Sequence, residues 1–269
     1  MKRAFILFVS VLGMITVARA QQAVEQDAAA KTTENCAKLP LLEKEVEAQA
    51  NRLSDWPELS RYREANRQVS APAKDEPRVV FMGDSITDGW QQPRFGGFFP
   101  GKAYLDRGIS GQTTPQMLLR FRPDVIDLQP RVVVILAGTN DIAGNTGPMT
   151  LEETEGYLAS MSELAHAHGI RVVLSSVMPV SDLTTAEGKK IIQTVNRPPE
   201  KIVAVNEWMK NYAAEHGDVY LDYFLTMADA KGFLKSELTN DGLHPNAAGY
   251  TMMAPLAEKA IVDALAKKP

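Results

Sequence analysis

Short apolar runs alternate with amphipathic stretches along the chain from residue 78 onward. The runs are nearly continuous and rich in β-branched residues, as is typical of parallel strands that are buried on both faces. Between them, apolar residues recur at intervals near three and four, which is the period of an amphipathic helix. The runs predict strands at Val79–Met82, Ala103–Leu105, Val132–Leu136, Arg171–Leu174 and Val219–Leu221, and the intervening stretches predict helices at Pro115–Phe121, Leu151–His168, Glu200–His216 and Ala247–Ala266.

This alternation of strand and helix predicts an α/β fold, a three-layer α/β/α sandwich with right-handed crossovers. The helix at 151–168 begins with Thr150 and Glu153, which have the spacing of a capping box. In sheets of this kind, ligands bind beyond the carboxyl ends of the strands. We therefore expect the functional residues to follow the predicted strands directly.

The first residues have the pattern of a secretory signal peptide. Positive charges at Lys2 and Arg3 precede the apolar run Ala4–Val17, and Ala18-Arg19-Ala20 matches the small-residue cleavage pattern. The run is shorter than the ~20 residues that a membrane-spanning helix needs, which disfavours a stable membrane anchor. We predict that residues 1–20 are removed after Ala20 and that the protein is exported to the periplasm or the extracellular space.

Residues 21–77 form the second part of the predicted organisation. They begin with a polar tail, continue through Leu39–Arg67, where apolar spacings near three and four predict one or two helices packed on the main domain, and end in a proline-containing connector at Ser70–Pro77. The predicted division is therefore a signal peptide at 1–20, an N-terminal tail and helical extension at 21–77, and a main domain at 78–269.

Composition narrows the classes of function. The 269 residues are 45% hydrophobic and 23% charged, which is ordinary for a globular protein with a sizeable core. The formal net charge is −4 and no basic block is present, so no nucleic-acid partner is expected. The single cysteine, Cys36, cannot form an intramolecular disulfide.

Ser85 is the candidate nucleophile. It follows the first predicted strand in Gly83-Asp84-Ser85-Ile86-Thr87, where the glycine allows a tight turn and the following helix would offer free N–H groups. A serine in this position can equally be a helix N-cap. As a nucleophile it would need an adjacent base that is itself oriented by a third group.

A base and an orienting group are both present near the C-terminus. His244 can take up and return a proton near neutral pH, and Asp241, three residues earlier, could fix its tautomer. A polar loop residue without a catalytic role is the alternative for His244. The other histidines, His166, His168 and His216, lie near predicted helix ends, and no H-E-x-x-H pattern or thiol cluster is present, so no metal is expected.

Acyl transfer also needs donors aimed at the developing oxyanion. The candidates are the backbone N–H groups of Ser85 and Gly111 and the side-chain amide of Asn140. Gly111 could instead be only a turn glycine, and Asn140 only a cap. We expect Asp141 to be structural and to hold its loop by local hydrogen bonds.

Together, the segments Gly83–Ile86, Gly111, Gly138–Asp141 and Asp241–His244 resemble the four conserved blocks of the SGNH (GDSL-type) hydrolase superfamily, in the right order and between about Val79 and Ala266. The resemblance implies a flavodoxin-like sandwich with a five-stranded parallel sheet and ester hydrolysis without a cofactor. It also implies a triad of Ser85, Asp241 and His244 and an oxyanion hole of Ser85, Gly111 and Asn140. The longer phrases Gly83–Trp90 and Arg107–Thr114 resemble the branch that contains platelet-activating-factor acetylhydrolase catalytic subunits and bacterial acetylesterases.

The resulting prediction is an exported serine esterase that removes short acyl groups, acetyl above all, from a small-molecule or carbohydrate ester. A lysophospholipase or thioesterase acting on longer chains, and an inactive exported binding module of the same fold, are the alternatives. No long apolar insertion that would build a lid follows the motifs. The aromatic residues of the segment 90–99 either form a wall on which a sugar could stack or belong to the core.

Overall fold

The structure, a computed structural model, describes residues 36, 38–50 and 53–267. The predicted signal peptide at 1–20 lies outside the described residues. The chain divides into two compact units, residues 1–56 and 57–269. In the first unit, residues 38–50 form helix α1, whose apolar side chains Leu39, Leu41, Leu42 and Val46 are exposed, and Cys36 is free and exposed.

None of the helices in the described ranges is both long enough and apolar enough to cross a membrane.

The second unit contains a five-stranded parallel sheet with helices on both faces, which confirms the predicted fold class. Its strands are β1 (Val79–Gly83), β2 (Tyr104–Gly108), β3 (Val132–Leu136), β4 (Arg171–Ser175) and β7 (Val219–Leu221), and β5 (Leu183–Thr184) and β6 (Lys190–Ile191) form a separate antiparallel ribbon. The order in the main sheet is β2-β1-β3-β4-β7. The helices are α2 (Arg63–Gln68), α3 (Ser85–Trp90), α4 (Thr114–Asp124), α5 (Thr139–Ile142), α6 (Leu151–Ala167), α7 (Pro199–His216), α8 (Tyr223–Met227) and α9 (Ala247–Ala266).

The central strands are buried on both faces, and their alternate residues belong to two separate cores. In β1, Val80 and Met82 face the core built with α4, α6 and α7, whereas Val79 and Phe81 face the core built with α3, α8 and α9. This alternation is the two-residue period of a strand between two helical layers. It explains why these strands are continuous apolar runs in the sequence.

The long elements lie where the sequence predicts them. Helix α9 and strands β3 and β7 have the predicted bounds, and the remaining predicted strands and helices differ at their ends by one to three residues. The capping box of α6 is also present, since Thr150 Oγ1 accepts from Glu153 N at 3.1 Å and Glu153 Oε2 accepts from Thr150 N at 2.8 Å. Among the residues that the structure describes, the elements that the sequence did not predict are short, the β5–β6 ribbon, α5 and α8 among them, because they contain too few residues to show a period.

Part of the predicted N-terminal extension is bound to the sheet domain through α2 and the turn before it. The Tyr62 hydroxyl donates to the backbone oxygen of Gly108, and Asn66 Nδ2 donates to Asp124 Oδ1 at 2.7 Å. The Arg107 guanidinium lies 4.8 Å from the centre of the Tyr62 ring. The segment that begins at residue 57 therefore stabilises the end of β2, next to the loops that carry the candidate site.

Candidate active site

The turn after β1 places Ser85 at the first position of α3. Gly83 closes the strand, and a Cβ atom there would lie 2.1 Å from Thr87 Oγ1, so no larger residue fits. Asp84 is the N-cap, and its Oδ1 accepts from the Ile86 N–H at 2.9 Å. Because Asp84 caps the helix, the Ser85 hydroxyl is free to make a different contact.

That contact is with His244. Ser85 Oγ lies 2.9 Å from His244 Nε2, and His244 Nδ1 lies 2.7 Å from Asp241 Oδ2. Ser85 and His244 are 159 positions apart along the chain, and the fold joins them with Asp241 into one hydrogen-bonded series of hydroxyl, imidazole and carboxylate. This is the arrangement in which an imidazole can remove a proton from a serine hydroxyl.

The turn that carries Asp241 and His244 is held by its own hydrogen bonds. Asp241 Oδ1 accepts from the backbone N–H groups of Leu243 at 3.0 Å and His244 at 2.8 Å. Burial raises the pKa of Asp241, but the hydrogen bonds from the ring and backbone of His244 and from Leu243 outweigh it and hold the pKa well below its usual range. Gly242 has φ +77° and lies against the Ser181 carbonyl, so this turn requires glycine. Asp241 is therefore a rigidly placed anion.

The two loops that follow β2 and β3 meet beside Ser85. Asn140 Nδ2 donates to the Gln112 carbonyl at 3.0 Å and lies 3.4 Å from Asp84 Oδ2. Asn145 Nδ2 donates both to Asn140 Oδ1 and to the Gly111 carbonyl, each at 3.0 Å. The loops of Gly111 and Asn140 are thus connected to each other and to the residue that precedes Ser85.

Asp141 is structural, as expected, but its partners are not local. Its Oδ1 accepts from the backbone N–H of Thr114 at 2.9 Å and from the Thr114 hydroxyl at 2.5 Å. The expectation of local bonds was wrong because the start of α4 lies against this loop in the folded chain. Asp141 therefore binds the Asn140 loop to the helix that follows Gly111.

Arg120 and Arg197 are buried residues near the site that sequence reasoning missed. Arg120 is fully buried and donates to Gln112 Oε1 at 2.5 Å, Asp124 Oδ2 at 3.0 Å and the Gly83 carbonyl at 3.0 Å. Arg197 donates to Thr139 Oγ1 at 3.0 Å. No signal in the sequence marks them, because an arginine within or just before a helix is usually exposed.

The Asp84 carboxyl is buried directly beside Ser85. Burial raises its pKa to about 6, against the hydrogen bond from Ile86 and the positive charges of a protonated His244 and of Arg197, which lower it. The folded protein therefore holds the Asp84 proton more tightly than the unfolded chain does. Protonated Asp84 therefore contributes to the free energy of unfolding. This contribution is fully present below the ordinary Asp pKa and is lost as the pH rises through about 6.

Because the Asp84 pKa is raised in the folded protein, Asp84→Asn, which keeps a capping oxygen and cannot ionise, should change how stability depends on pH. We expect the variant to gain unfolding free energy relative to wild type as the pH rises from 4.5 to 8, by up to roughly 2 kcal/mol. Only the ~1.5 pH units between 4.5 and the Asp84 pKa of about 6 contribute, and one unit corresponds to about 1.4 kcal/mol. Urea unfolding at the two pH values measures this difference. An equal difference between the two proteins at both pH values would show that Asp84 does not carry this linkage.

A cleft of about 730 Å³ opens over Ser85 and His244. Its walls include Gln92, Arg94, Phe95, Asn240, Ala248 and Tyr250. The possible aromatic wall is mostly core, because Trp90 and Phe99 are buried against Phe81 and do not line this cleft, and Phe95 is the one phenylalanine of the segment 90–99 that does. Within the described ranges, no three His, Cys, Asp or Glu side chains are grouped so that they could hold a metal ion.

Comparison with known proteins gives a family match over this region. Residues 81–252 match the model of the GDSL-like lipase/acylhydrolase family. A GDSL-like lipase of Bacteroides thetaiotaomicron has 41% sequence identity and a TM-score of 0.70, over 77% of this chain and 98% of that one. A proposed platelet-activating-factor protein of Streptococcus pneumoniae has 26% identity and a TM-score of 0.64, over 81% of this chain and 99% of that one. The suspected superfamily and branch are thus confirmed.

Two further proteins are similar over less sequence or only in fold. An acetyl-xylooligosaccharide esterase from Geobacillus stearothermophilus shares the fold, with a TM-score of 0.53 and 20% identity over 72% of this chain and 96% of that one. An uncharacterized lipoprotein of Bacillus subtilis, YqeF, is 35% identical over 79 residues, which are 28% of this chain. The chain spans about a third, 32%, of the length of that curated relative.

Proposed function

Since this chain belongs to the GDSL-like lipase/acylhydrolase family and is a carboxylic ester hydrolase, we propose that it is an exported serine esterase that removes short acyl groups from a carbohydrate ester. Ser85 is the nucleophile, His244 the general base and acid, and Asp241 the residue that orients His244. The backbone N–H groups of Ser85 and Gly111 and the side-chain amide of Asn140 bind the oxyanion. The observation that carries the proposal is the hydrogen-bonded series Ser85–His244–Asp241 at 2.9 and 2.7 Å.

The reaction proceeds by acyl transfer through the serine. Ser85 Oγ attacks the ester carbonyl carbon while His244 Nε2 takes its proton, and the carbonyl oxygen becomes an oxyanion bound by the three N–H donors. Collapse of this intermediate breaks the bond to the alcohol, which leaves with the proton from His244. A water molecule then attacks the acyl-serine by the same route, releasing the carboxylic acid and restoring Ser85. Asp241, whose pKa is held low, stays anionic and stabilises the imidazolium in both halves.

Labelling with a fluorophosphonate tests whether Ser85 is activated. Such a probe phosphonylates a serine whose hydroxyl is deprotonated by a neighbouring base. We expect peptide mass spectrometry to find the probe on Ser85, and we expect the Ser85→Ala variant to remain unlabelled. A folded wild-type protein that takes up no probe would favour an inactive binding module instead.

The cleft supports the carbohydrate part of the proposal. About 730 Å³ is far more than an acetyl group fills, so the space suits a bulky alcohol such as a sugar. The exposed amides of Gln92 and Asn240 can hydrogen-bond to hydroxyl groups, and Phe95 offers an apolar face. The acetyl-xylooligosaccharide esterase of the same fold is a precedent for this substrate class.

Acyl length is a separate, testable part of the proposal. The cleft is open and most of the residues that line it are polar, so a longer acyl chain would gain little from burial, although each buried methylene is worth ~1 kcal/mol in a pocket that accepts it. We expect kcat/KM on p-nitrophenyl esters to be highest for acetate or butyrate and to fall steadily for longer chains. A maximum at octanoate or beyond would overturn the short-acyl assignment and support a lysophospholipase or thioesterase.

Export is proposed from the N-terminal sequence. The charged, apolar and small-residue pattern of residues 1–20 supports cleavage after Ala20 and release to the periplasm or the extracellular space. Partial similarity to a lipoprotein of Bacillus subtilis is consistent with a location outside the cytoplasm. N-terminal sequencing of the protein secreted by its host tests the cleavage site, for which we expect Gln21 as the first residue.

A further inference from the structure

The side-chain amide of Asn140 can help catalysis only in one orientation. Its NH₂ end is a donor for the oxyanion, whereas its carbonyl end would repel it. Asn140 Oδ1 accepts from Asn145 Nδ2 at 3.0 Å and from Arg197 Nη2 at 3.4 Å. We propose that Arg197 and Asn145 are positioning residues that fix the Asn140 amide with its NH₂ end towards the reacting ester, an inference that rests on the proposed function.

The partners of Asn140 allow no other assignment of its two ends. A guanidinium has donors and no acceptor, so an NH₂ group facing Arg197 would place N–H against N–H. On the other side, the Gln112 carbonyl is only an acceptor, and it lies 3.0 Å from Asn140 Nδ2. A flipped amide would lose both contacts. Asn140 Nδ2 also lies 3.4 Å from Asp84 Oδ2, a longer and weaker contact than the one with the Gln112 carbonyl. The N–H on this side is the donor that the oxyanion would engage.

Arg197 is itself held in place from several sides. It is only 8% exposed, and besides Asn140 it donates to Thr139 Oγ1 at 3.0 Å and to Gln193 Oε1 at 3.3 Å. Gln193 Nε2 in turn donates to the Asp241 carbonyl at 3.0 Å. One segment, residues 193–197, therefore contacts both the Asn140 loop and the turn that carries Asp241 and His244.

The charge of Arg197 serves the same site. Burial lowers its pKa, and the carboxylates of Asp84 and Asp241 raise it again. A guanidinium remains charged throughout the working pH range of a hydrolase. The Arg197 guanidinium, which contacts Asn140 Oδ1, offsets the negative charge of Asp84. That charge would otherwise oppose an oxyanion forming nearby.

A double-mutant cycle between Arg197 and Asn140 tests the proposal. We expect Arg197→Met to lower kcat on p-nitrophenyl acetate by ~10- to 100-fold with little change in KM, because a misoriented donor weakens mainly the transition state. In an Asn140→Ala background, the same substitution should cost less than ~3-fold, because the amide that it positions is already gone. A merely structural arginine would give the same loss in both backgrounds, which would overturn the proposal.

The conservative variant and a matched control complete the test. Arg197→Lys keeps the charge but offers its donors from a single nitrogen, so we expect its kcat to lie above that of Arg197→Met. Arg78→Met removes another buried arginine, which donates to the Leu128 carbonyl. Arg78 lies at the amino end of β1, whereas the site lies at the carboxyl end. It should lower the midpoint of thermal unfolding and leave kcat unchanged, which separates loss of a buried cation from loss of the Asn140 contact.

Asn145→Ala keeps the proposal testable if Arg197→Met does not fold. Asn145 is exposed, so its removal should leave the fold intact. We expect a ~3- to 10-fold loss of kcat in the wild-type background and a smaller loss with Asn140→Ala. If Asn140→Ala alone keeps full kcat, the oxyanion role in the proposed function fails. If Asn140→Ala is impaired but neither partner couples to it, only the positioning role fails.

Discussion

Ser85→Ala and His244→Ala are each expected to lower kcat by ~10⁴-fold or more, because the members of a triad act as a unit and the loss of either one stops proton transfer at the nucleophile. The 2.9 Å contact between Ser85 Oγ and His244 Nε2 is the structural basis of this expectation. Steady-state hydrolysis of p-nitrophenyl acetate by the purified variants measures the effect, and circular dichroism verifies that both remain folded.

A second cluster of the same residue types provides the matched control. His166 Nε2 lies 2.6 Å from Asp218 Oδ1, and Ser162 Oγ donates to Asp218 Oδ2 at 2.7 Å. Here the serine binds the carboxylate and not the imidazole, so no base activates it. We expect Ser162→Ala and His166→Ala to keep wild-type kcat. Near wild-type turnover in a folded Ser85→Ala or His244→Ala protein would disprove the triad assignment.

The second large effect is expected at Asn140. Asn140→Ala should lower kcat by ~10²- to 10³-fold while KM changes little, because an oxyanion donor acts mainly on the transition state. Asn140→Asp distinguishes the donor from the space that the side chain fills. It keeps the shape and replaces the NH₂ group by an acceptor, so we expect a loss at least as large as that of alanine.

Separate values of kcat and KM decide the role of Asn140. A large rise in KM with unchanged kcat would make it a residue that binds the substrate in the ground state. An Asn140→Asp protein with near wild-type kcat would show that the amide donates no hydrogen bond to the oxyanion. Either result would leave the Ser85 and His244 predictions standing, because those depend on proton transfer and not on charge stabilisation.

The sequence carried the information for the sheet and the long helices because their signals are local. A strand buried on both faces, such as β3, must be apolar throughout, and a helix such as α9 must repeat its apolar residues every three or four positions. The residue types needed for acyl transfer can also be recognised in the sequence. A serine at a strand-to-helix turn and an Asp-x-x-His turn at the other end of the chain predicted the candidate site. They also predicted its position at the carboxyl ends of the strands.

The tertiary structure alone decided which neighbour each polar side chain meets. Asp84 and not Ser85 caps α3, which leaves the serine hydroxyl to His244. Trp90 and Phe99 lie in the core because they pack against Phe81 of β1. No local sequence pattern predicts this contact.

The same holds for the buried arginines near the proposed oxyanion donors. Arg197 reaches Asn140 across 57 positions of sequence, and Arg120 reaches the Gly83 carbonyl across 37. An arginine is buried only where the fold supplies acceptors for its N–H groups, and those acceptors come from different strands and loops. The sequence by itself therefore determined the architecture and indicated the candidate reacting groups. The packed structure determined how those groups are oriented, because hydrogen-bond satisfaction in a buried site depends on residues that are distant along the chain.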